Sequence, residues 1–279
     1  MSDLISIITP TFNRAYILGT AIESVLAQTY KDWELVVIDD GSTDDTKAVV
    51  TGFHDARIRY VYQENAGQWV ARNNGLDLAK GRWHTFLDSD NEFLPACIER
   101  CLAFVTANPH IVAVFPKANR VLQLLEQGVV VRSIAQPDDF PQTKDVVREL
   151  FMRDFHFDVN AFFLSASIRD EGIRPDPHTI EMVDWDYAMD IAEAHPDGIV
   201  YLPEVLYNYY QRYGGDGMVS NTPYKIWALA FEQIYQKHKN SPHMKGQTWY
   251  PAKVEKWKKR AADYEKGLVP PPHLYPFQE

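Results

Sequence analysis

Four short apolar runs, each closing on polar residues and followed by a helical pattern, constrain this chain most. "LISIIT", "WELVVID", "IRYVYQ" and "WHTFLD" are rich in Val, Ile, Tyr and Phe and predict strands. Their near-continuous apolar character predicts burial on both faces. Between them, "AYILGTAIESVLAQ" sets Ile17, Ala21, Ile22, Val25 and Leu26 on one stripe, and "GQWVARNNGLDLAKG" aligns Val70, Leu76 and Ala79. Gly81 is expected to stop the second helix. "PACIERCLAFVTANP" predicts a helix from Pro95 to just before Pro109, and "IVAVFP" returns as a strand. Strand and helix in alternation predict an α/β fold with a mostly parallel central sheet flanked by helices.

After about Lys117 the alternation fails. "RVLQLLEQGVVVRS" predicts a hairpin around Gly128, "TKDVVRELFMRD" a helix, "VNAFFLS" a strand and "EMVDWDYAMDIAEA" a strong helix. "GIVYLPEVLYNYYQR" is strand-like with a break at Pro203, and the glycines of "YGGDGMVSN" predict a flexible loop. Two helices, "YKIWALAFEQIYQKHK" and "PAKVEKWKKRAADYEK", close the chain before a proline-rich end. The expected division is one α/β unit over 1–221, with halves 1–117 and 118–221, and a C-terminal helical extension over 222–279.

A formal net charge of -10 excludes a duplex-coating role, because phosphate binding needs clustered positive charge. No apolar run reaches the length that spans a bilayer, and "MSDLISIITP" carries no basic leader, so no secretion signal is expected. Cys97 and Cys101 read as small buried apolar residues, which fits a reducing, cytoplasmic setting.

In sheets of this class, ligands bind beyond the carboxyl ends of the strands. Thr9, Pro10, Thr11, Phe12, Asn13 and Arg14 follow the first strand, and Asp39, Asp40, Gly41 and Ser42 the second. Asn65, Ala66, Gly67 and Gln68 follow the third, and Asp88, Ser89, Asp90 and Asn91 the fourth. None of these is a P-loop or a dinucleotide-binding glycine turn. Asp39 to Thr43 also reads as a plain turn in which Ser42 or Thr43 caps a helix. Asp88 and Asp90 also read as a solvated loop, although two close carboxylates repel each other without a cation. Hard oxygen ligands at that spacing suit Mg2+ or Mn2+.

"SIITPTFNRAYILGTAIESVLAQTYKDWELVVIDDGSTDDT" and "NAGQWVARNNGLDLAKGRWHTFLDSDN" closely resemble the family 2 glycosyltransferases, which have the GT-A fold. The resemblance is dense from about Ser6 to Leu102 and resumes at "VDWDYAM". It implies a nucleotide-sugar donor, often UDP-linked, and inversion at the anomeric carbon. It places Thr9 and Pro10 in the nucleotide pocket, Phe12 near the base, Asp39 on the base ring N–H and Arg72 near the diphosphate or the base. Arg14, Gly67 and Ser89 belong to the same donor-binding set. Asp88 is expected by the ribose and metal, and Asp90 as a metal ligand. Asp184 is expected as the general base, with a helix N-terminus favouring its ionised form; a capping role is the plainer alternative. Asp186 is expected on another side of that helix.

The chain departs from the family pattern in Val183, in Asp190 where an Arg commonly stands, and in lacking a loop His for the metal. Arg212 is expected to pair with the diphosphate instead, and Gly214, Gly215 and Gly217 to let the loop close over the donor. His156 and His178 lie where an acceptor could touch, or are ordinary histidines. Trp69 and Trp185 read as sugar-stacking or as core. After Thr222, ten Lys or Arg stand against five acids, with Trp227, Phe231, Trp249 and Trp257 interleaved. That pattern fits either a packed extension with a solvated basic face or peripheral contact with the inner face of an anionic membrane. The expected partners are a nucleotide-sugar donor and a glycan or glycoconjugate acceptor, and no nucleic acid. A non-catalytic nucleotide-sugar-binding subunit is the competing reading. A nucleotidylyltransferase would need a Gly-rich, basic loop where this chain has "TPTFNRAY".

Overall fold

The computed structural model describes residues 3–124, 129–135, 158–213, 222–242 and 244–269. The elements run β1 (Ile5–Thr11), α1 (Ala15–Leu26), β2 (Trp33–Asp40), α2 (Thr46–Thr51), β3 (Ile58–Gln63), α3 (Gln68–Leu78), β4 (Trp83–Phe86) and β5 (Glu92–Phe93). They continue with α4 (Cys97–Ala107), β6 (Ala113–Leu124), β7 (Val129–Ala135), β8 (Phe163–Ser165) and α5 (Ala166–Asp170). The chain then forms α6 (Val183–Ala194), β9 (Ile199–Tyr213), α7 (Tyr224–His238) and α8 (Trp249–Glu265).

The strands form one sheet in the order β3-β2-β1-β4-β8-β6-β9-β5, with β7 paired to β6. The first four are parallel, as the alternating sequence pattern predicts. β8 runs antiparallel to both β4 and β6, so the sheet changes character where the alternation ends. Alternating strand residues feed opposite layers. Ile5, Ile7, Leu35 and Val37 meet Leu18, Ile22 and Val25 of α1 and Cys97, Ile98 and Cys101 of α4. Ile8 and Phe86 face Leu76 of α3 and a core built from α6, α7 and α8. Both cysteines are free and buried.

Four boundaries differ from expectation for physical reasons. β1 extends to Thr11 because Thr9, Pro10 and Thr11 pair with Val37, Ile38 and Asp39, so Thr9 and Pro10 are strand residues rather than loop. α3 ends at Leu78, and Gly81 is not its cap. A Cβ on Gly81 would lie 2.6 Å from the Leu4 carbonyl, so this glycine permits a close backbone crossing. α4 begins at Cys97, leaving Pro95 in the preceding turn. The break at Pro203 is a bulge inside one long strand: Pro116 pairs with Leu202 and Lys117 with Val205, which leaves two residues of β9 unpaired. The hairpin is present as β6 and β7, but β6 is continuous with "IVAVFP". The helix expected over 143–154, His156 and the glycine loop over 214–221 lie outside the described residues.

Trp227, Trp249 and Trp257 pack against the layer that contains Phe231, and Trp257 stacks on Phe231 with centroids 5.4 Å apart. Trp227, Phe231, Trp249 and Trp257 thus pack on or in the core, and the plainer of the two readings holds for these four. No helix among the described residues is long and apolar enough to cross a membrane.

Candidate functional site

The carboxyl ends of β1, β2 and β3 carry a stitched set of loops. Asn13 adopts a left-handed backbone (φ 51), which Asn tolerates. Its N–H donates to Ser42 Oγ (2.8 Å) and its Oδ1 accepts from the Thr43 N–H (2.8 Å). Ser42 and Thr43 thus brace the neighbouring loop and do not cap α2, whose first turn takes Asp44 instead: Thr46 N–H donates to Asp44 Oδ1 (3.1 Å). Asp44 Oδ2 also accepts from the Ala15 N–H (2.9 Å), serving the start of α1 from outside its own helix.

Asp39 is fully buried; its Oδ2 accepts from the Tyr60 hydroxyl (2.6 Å) and its Oδ1 from the Ser42 N–H (2.8 Å). Sequence reading gave no role to its neighbour Asp40, which ties a third loop to the first two. Asp40 accepts from the Ala66 N–H (2.8 Å), the Gly67 N–H (2.9 Å) and Gln63 Nε2 (2.7 Å). Gly67 meets that carboxylate at φ 93, a conformation costly for other residues. Phe12 and Tyr62 stand exposed on this edge, in register with Asp39 or one residue beyond its partner.

Beyond β4 the two carboxylates of "DSD" take different partners. Asp88 pairs with the buried Arg72, whose Nη1 donates to Gln68 Oε1 (2.9 Å) and whose guanidinium lies 4.3 Å from the Trp69 ring centroid. Trp69 therefore braces an arginine. Asp90 Oδ2 lies 3.0 Å from Arg14 Nη1 and 3.1 Å from Arg212 Nη1, and Arg212 Nη2 donates to the Asp90 carbonyl (3.1 Å). Ser89 is buried between the two acids. Burial first, then the charge of Asp88, push the Asp90 carboxyl above its ordinary range, against the pull of Arg14 and Arg212. The donors here are carboxylate oxygens, the type that Mg2+ or Mn2+ takes, and arginines already pair with both acids, Arg72 with Asp88 and Arg14 and Arg212 with Asp90. A cavity of about 270 Å³ opens beside Asp90 and Arg212, walled by Tyr16 and Ile17 of α1 and by Tyr210 of β9.

Asp184 is the second residue of α6, whose N-cap is Met182 in a left-handed conformation (φ 59). Its Oδ1 accepts from the Trp185 N–H (3.0 Å), so it satisfies a first-turn donor from inside the helix, although the N-cap position belongs to Met182. Burial and then the nearby Asp158 push its carboxyl up to about 8, while the Trp185 N–H and Arg72 pull the other way. The expectation that the helix N-terminus leaves this carboxylate ionised is corrected: desolvation and a like charge outweigh the dipole. Sequence reading missed Asp158 and Asn160. They open a segment that reads only as the start of a strand, and no spacing marks them.

Asp186 faces away, as expected. Its carboxylate accepts from Lys237 Nζ and His238 Nε2 (2.8 Å each), and Asp190 accepts from the same lysine (2.7 Å). His238 Nδ1 lies 2.8 Å from Glu193 Oε1. Hydrogen bonds to Asp186 and Glu193 raise the imidazole to about 9 despite its burial. Asp186, Asp190 and His238 have the spacing of a metal centre, but a lysine ammonium already bridges both acids and the imidazole is a double donor. Asp190 thereby has a partner suited to an acid where the family pattern has Arg. Trp185 is core, edge-on to Phe231, and His178 is exposed.

Comparison with known proteins bears on the family and the fold. Residues 6–156 match the sequence model of "Glycosyl transferase family 2". A putative teichuronic acid biosynthesis glycosyltransferase of Bacillus subtilis is 40% identical over 105 residues, covering 37% of this chain and 42% of the relative. An Escherichia coli UDP-Glc:alpha-D-GlcNAc-diphosphoundecaprenol beta-1,3-glucosyltransferase is 42% identical over 106 residues, 38% of this chain and 42% of the relative. The matches thus span well under half of these relatives' lengths. Among solved structures, S. aureus TarS 1-349 in complex with UDP-GlcNAc superposes with a TM-score of 0.68 at 18% identity, covering 95% of this chain and 73% of that one. A Pyrobaculum calidifontis mannosyltransferase in complex with GDP-Man and Mn2+ gives 0.66 at 18% identity, over 98% and 78%. With the motifs on one sheet edge and the family model covering more than half of its length, the chain belongs to glycosyl transferase family 2.

Proposed function

We propose that this protein is an inverting glycosyltransferase that moves a sugar from a nucleotide-sugar donor, UDP-linked by the chemistry of Asp39, to a hydroxyl of a glycan or lipid-linked acceptor. The observation that carries the reading is the convergence of Asp39, Asp88 and Asp90 with Arg14, Arg72 and Arg212 on one edge of the sheet. Both curated relatives named above are glycosyltransferases, and one acts on a diphosphoundecaprenol acceptor.

Asp39 has lone pairs left for a base N–H, with Phe12 and Tyr62 as exposed aromatic surfaces beside it. Thr9 and Pro10, at the end of β1 beside Val37 and Ile38, would line the nucleotide pocket. Arg212 Nη1 sits 3.1 Å from Asp90 Oδ2 without hydrogen-bond alignment, and a diphosphate oxygen suits it as a further acceptor. Asp88 and Asp90 would hold Mn2+ or Mg2+, which when bound offsets the charge that builds on the leaving diphosphate. Asp184, once ionised, takes the proton of the acceptor hydroxyl. The acceptor oxygen then bonds to the anomeric carbon as the bond to the diphosphate oxygen breaks, and the nucleoside diphosphate leaves from the opposite face.

A screen of nucleotide sugars with Mn2+, reading released diphosphate, tests the reading. One donor should turn over with acceptor present. Binding of UDP with no release from any donor would favour the non-catalytic alternative.

A further inference from the structure

The residue that holds Asp88 in place from the far side is Asn160. Its carboxamide grips that acid twice: Oδ1 accepts from the Asp88 N–H (2.6 Å) and Nδ2 donates to Asp88 Oδ2 (2.8 Å). Arg72 holds the other carboxylate oxygen, Oδ1. The two oxygens of Asp88 are thereby fixed from opposite sides, by a guanidinium on α3 and an amide from the segment before β8.

Asn160 is itself over-determined. It is 1% exposed, and a lone parallel bridge joins it to Phe86 at the end of β4. Its N–H donates to Asp158 Oδ1 (2.7 Å), and Asp158 Oδ2 accepts from the Tyr207 hydroxyl on β9 (3.2 Å). The next residue, Ala161, adopts φ 57, a conformation unfavourable for a residue with a Cβ, and donates its N–H to the Phe86 carbonyl (3.0 Å). An unbroken series of hydrogen bonds therefore crosses the site from β9 to α3: Tyr207, Asp158, Asn160, Asp88, Arg72, Gln68. Asp158 is also the acid whose charge acts on Asp184.

The geometry points to Asn160 as a positioning residue that sets the orientation of the Asp88 carboxylate for the divalent cation and donor. The inference rests on the metal reading of Asp88 and Asp90 given above. A neutral amide suits the role, since it supplies one donor and one acceptor without adding a charge between Asp88 and Asp158. Outer groups of this kind tune ligand orientation, and their loss lowers metal affinity about 10–100-fold.

The test compares wild type with Asn160→Ala and Asn160→Ser. Mn2+ binding in the presence of UDP is read by electron paramagnetic resonance, and UDP affinity in EDTA by calorimetry. The expected result is Mn2+ affinity reduced about tenfold or more in both variants, with UDP affinity in EDTA within about twofold of wild type. Donor KM rises more than kcat falls wherever turnover is measurable. The EDTA measurement separates positioning from general damage to the fold: equal losses in both titrations for both variants would overturn the proposal. Wild-type Mn2+ affinity in both variants would also overturn it and leave the metal reading standing. A wild type that binds UDP but no Mn2+ would overturn the metal reading, and this proposal with it.

Discussion

Replacing Asp184 by Asn removes a carboxyl that the fold holds neutral against its ordinary preference. Burial and Asp158 raise it from 3.8 to about 8. The unfolded chain releases the same proton near its ordinary value. Stability is therefore unaffected below about pH 4 and is lost progressively as pH rises from there to about 8, where the penalty saturates. At pH 7 a gap of roughly three units corresponds to at most about 4 kcal/mol, and residual solvent contact of the side chain reduces this to about 2 kcal/mol. Asn cannot ionise, and its Oδ1 can keep the bond from the Trp185 N–H. For a chain of this size the melting temperature should rise by roughly 4–8 °C at pH 7, and by much less at pH 5. The same substitution removes the proton acceptor, so transfer should fall by about 10²–10⁴ while UDP affinity holds. Calorimetric scans of both proteins from pH 5 to 8, with diphosphate release measured alongside, read both effects. In wild type, kcat/KM should fall about tenfold per unit below about pH 8. A variant that melts below wild type at every pH, a gain indifferent to pH, or full turnover would refute the reasoning.

Asp39→Ala removes the acceptor proposed for the base N–H; calorimetry should show UDP binding weakened by about 10–100-fold, since that buried donor is left unpaired in the complex, and the Tyr60 hydroxyl and Ser42 N–H lose the same carboxylate. Gly75→Ala drives a Cβ into Ile8 where α3 lies on β1, and denaturant titration should show a loss of about 1–3 kcal/mol. His238→Gln breaks the contacts to Asp186 and Glu193. Because the imidazole is raised to about 9, the stability it supplies is complete below about pH 6.5 and vanishes as pH passes through about 9. The gap between variant and wild type in urea should accordingly be wide at pH 6.5 and narrow at pH 9.5; a constant gap would show that charge has no part in that clamp.

The parallel half of the fold was legible because its strands are buried on both faces and its helices carry single apolar stripes, so local pattern and tertiary role agree. Asp39, Asp88 and Asp90 were legible because strand ends in such sheets face the ligand. The second half was less so. Pro203 looked like a terminator, yet a parallel partner as long as β6 carries β9 through a bulge. The raised carboxyl of Asp184 depends on burial first and then on Asp158, 26 residues earlier in the chain. Asp40 and Asn160 act through carboxylate and amide contacts between loops distant in sequence, a kind of evidence that periodicity does not hold. The cluster of Asp186, Asp190 and His238 shows the converse, metal-like spacing taken up by a lysine.

Anomalous scattering from a crystal soaked with UDP and Mn2+ tests the central claim most directly. The account predicts a manganese peak between the carboxylates of Asp88 and Asp90, with the uracil N–H on Asp39. A manganese peak among Asp186, Asp190 and His238 instead, or a nucleotide bound away from Asp39, would contradict it.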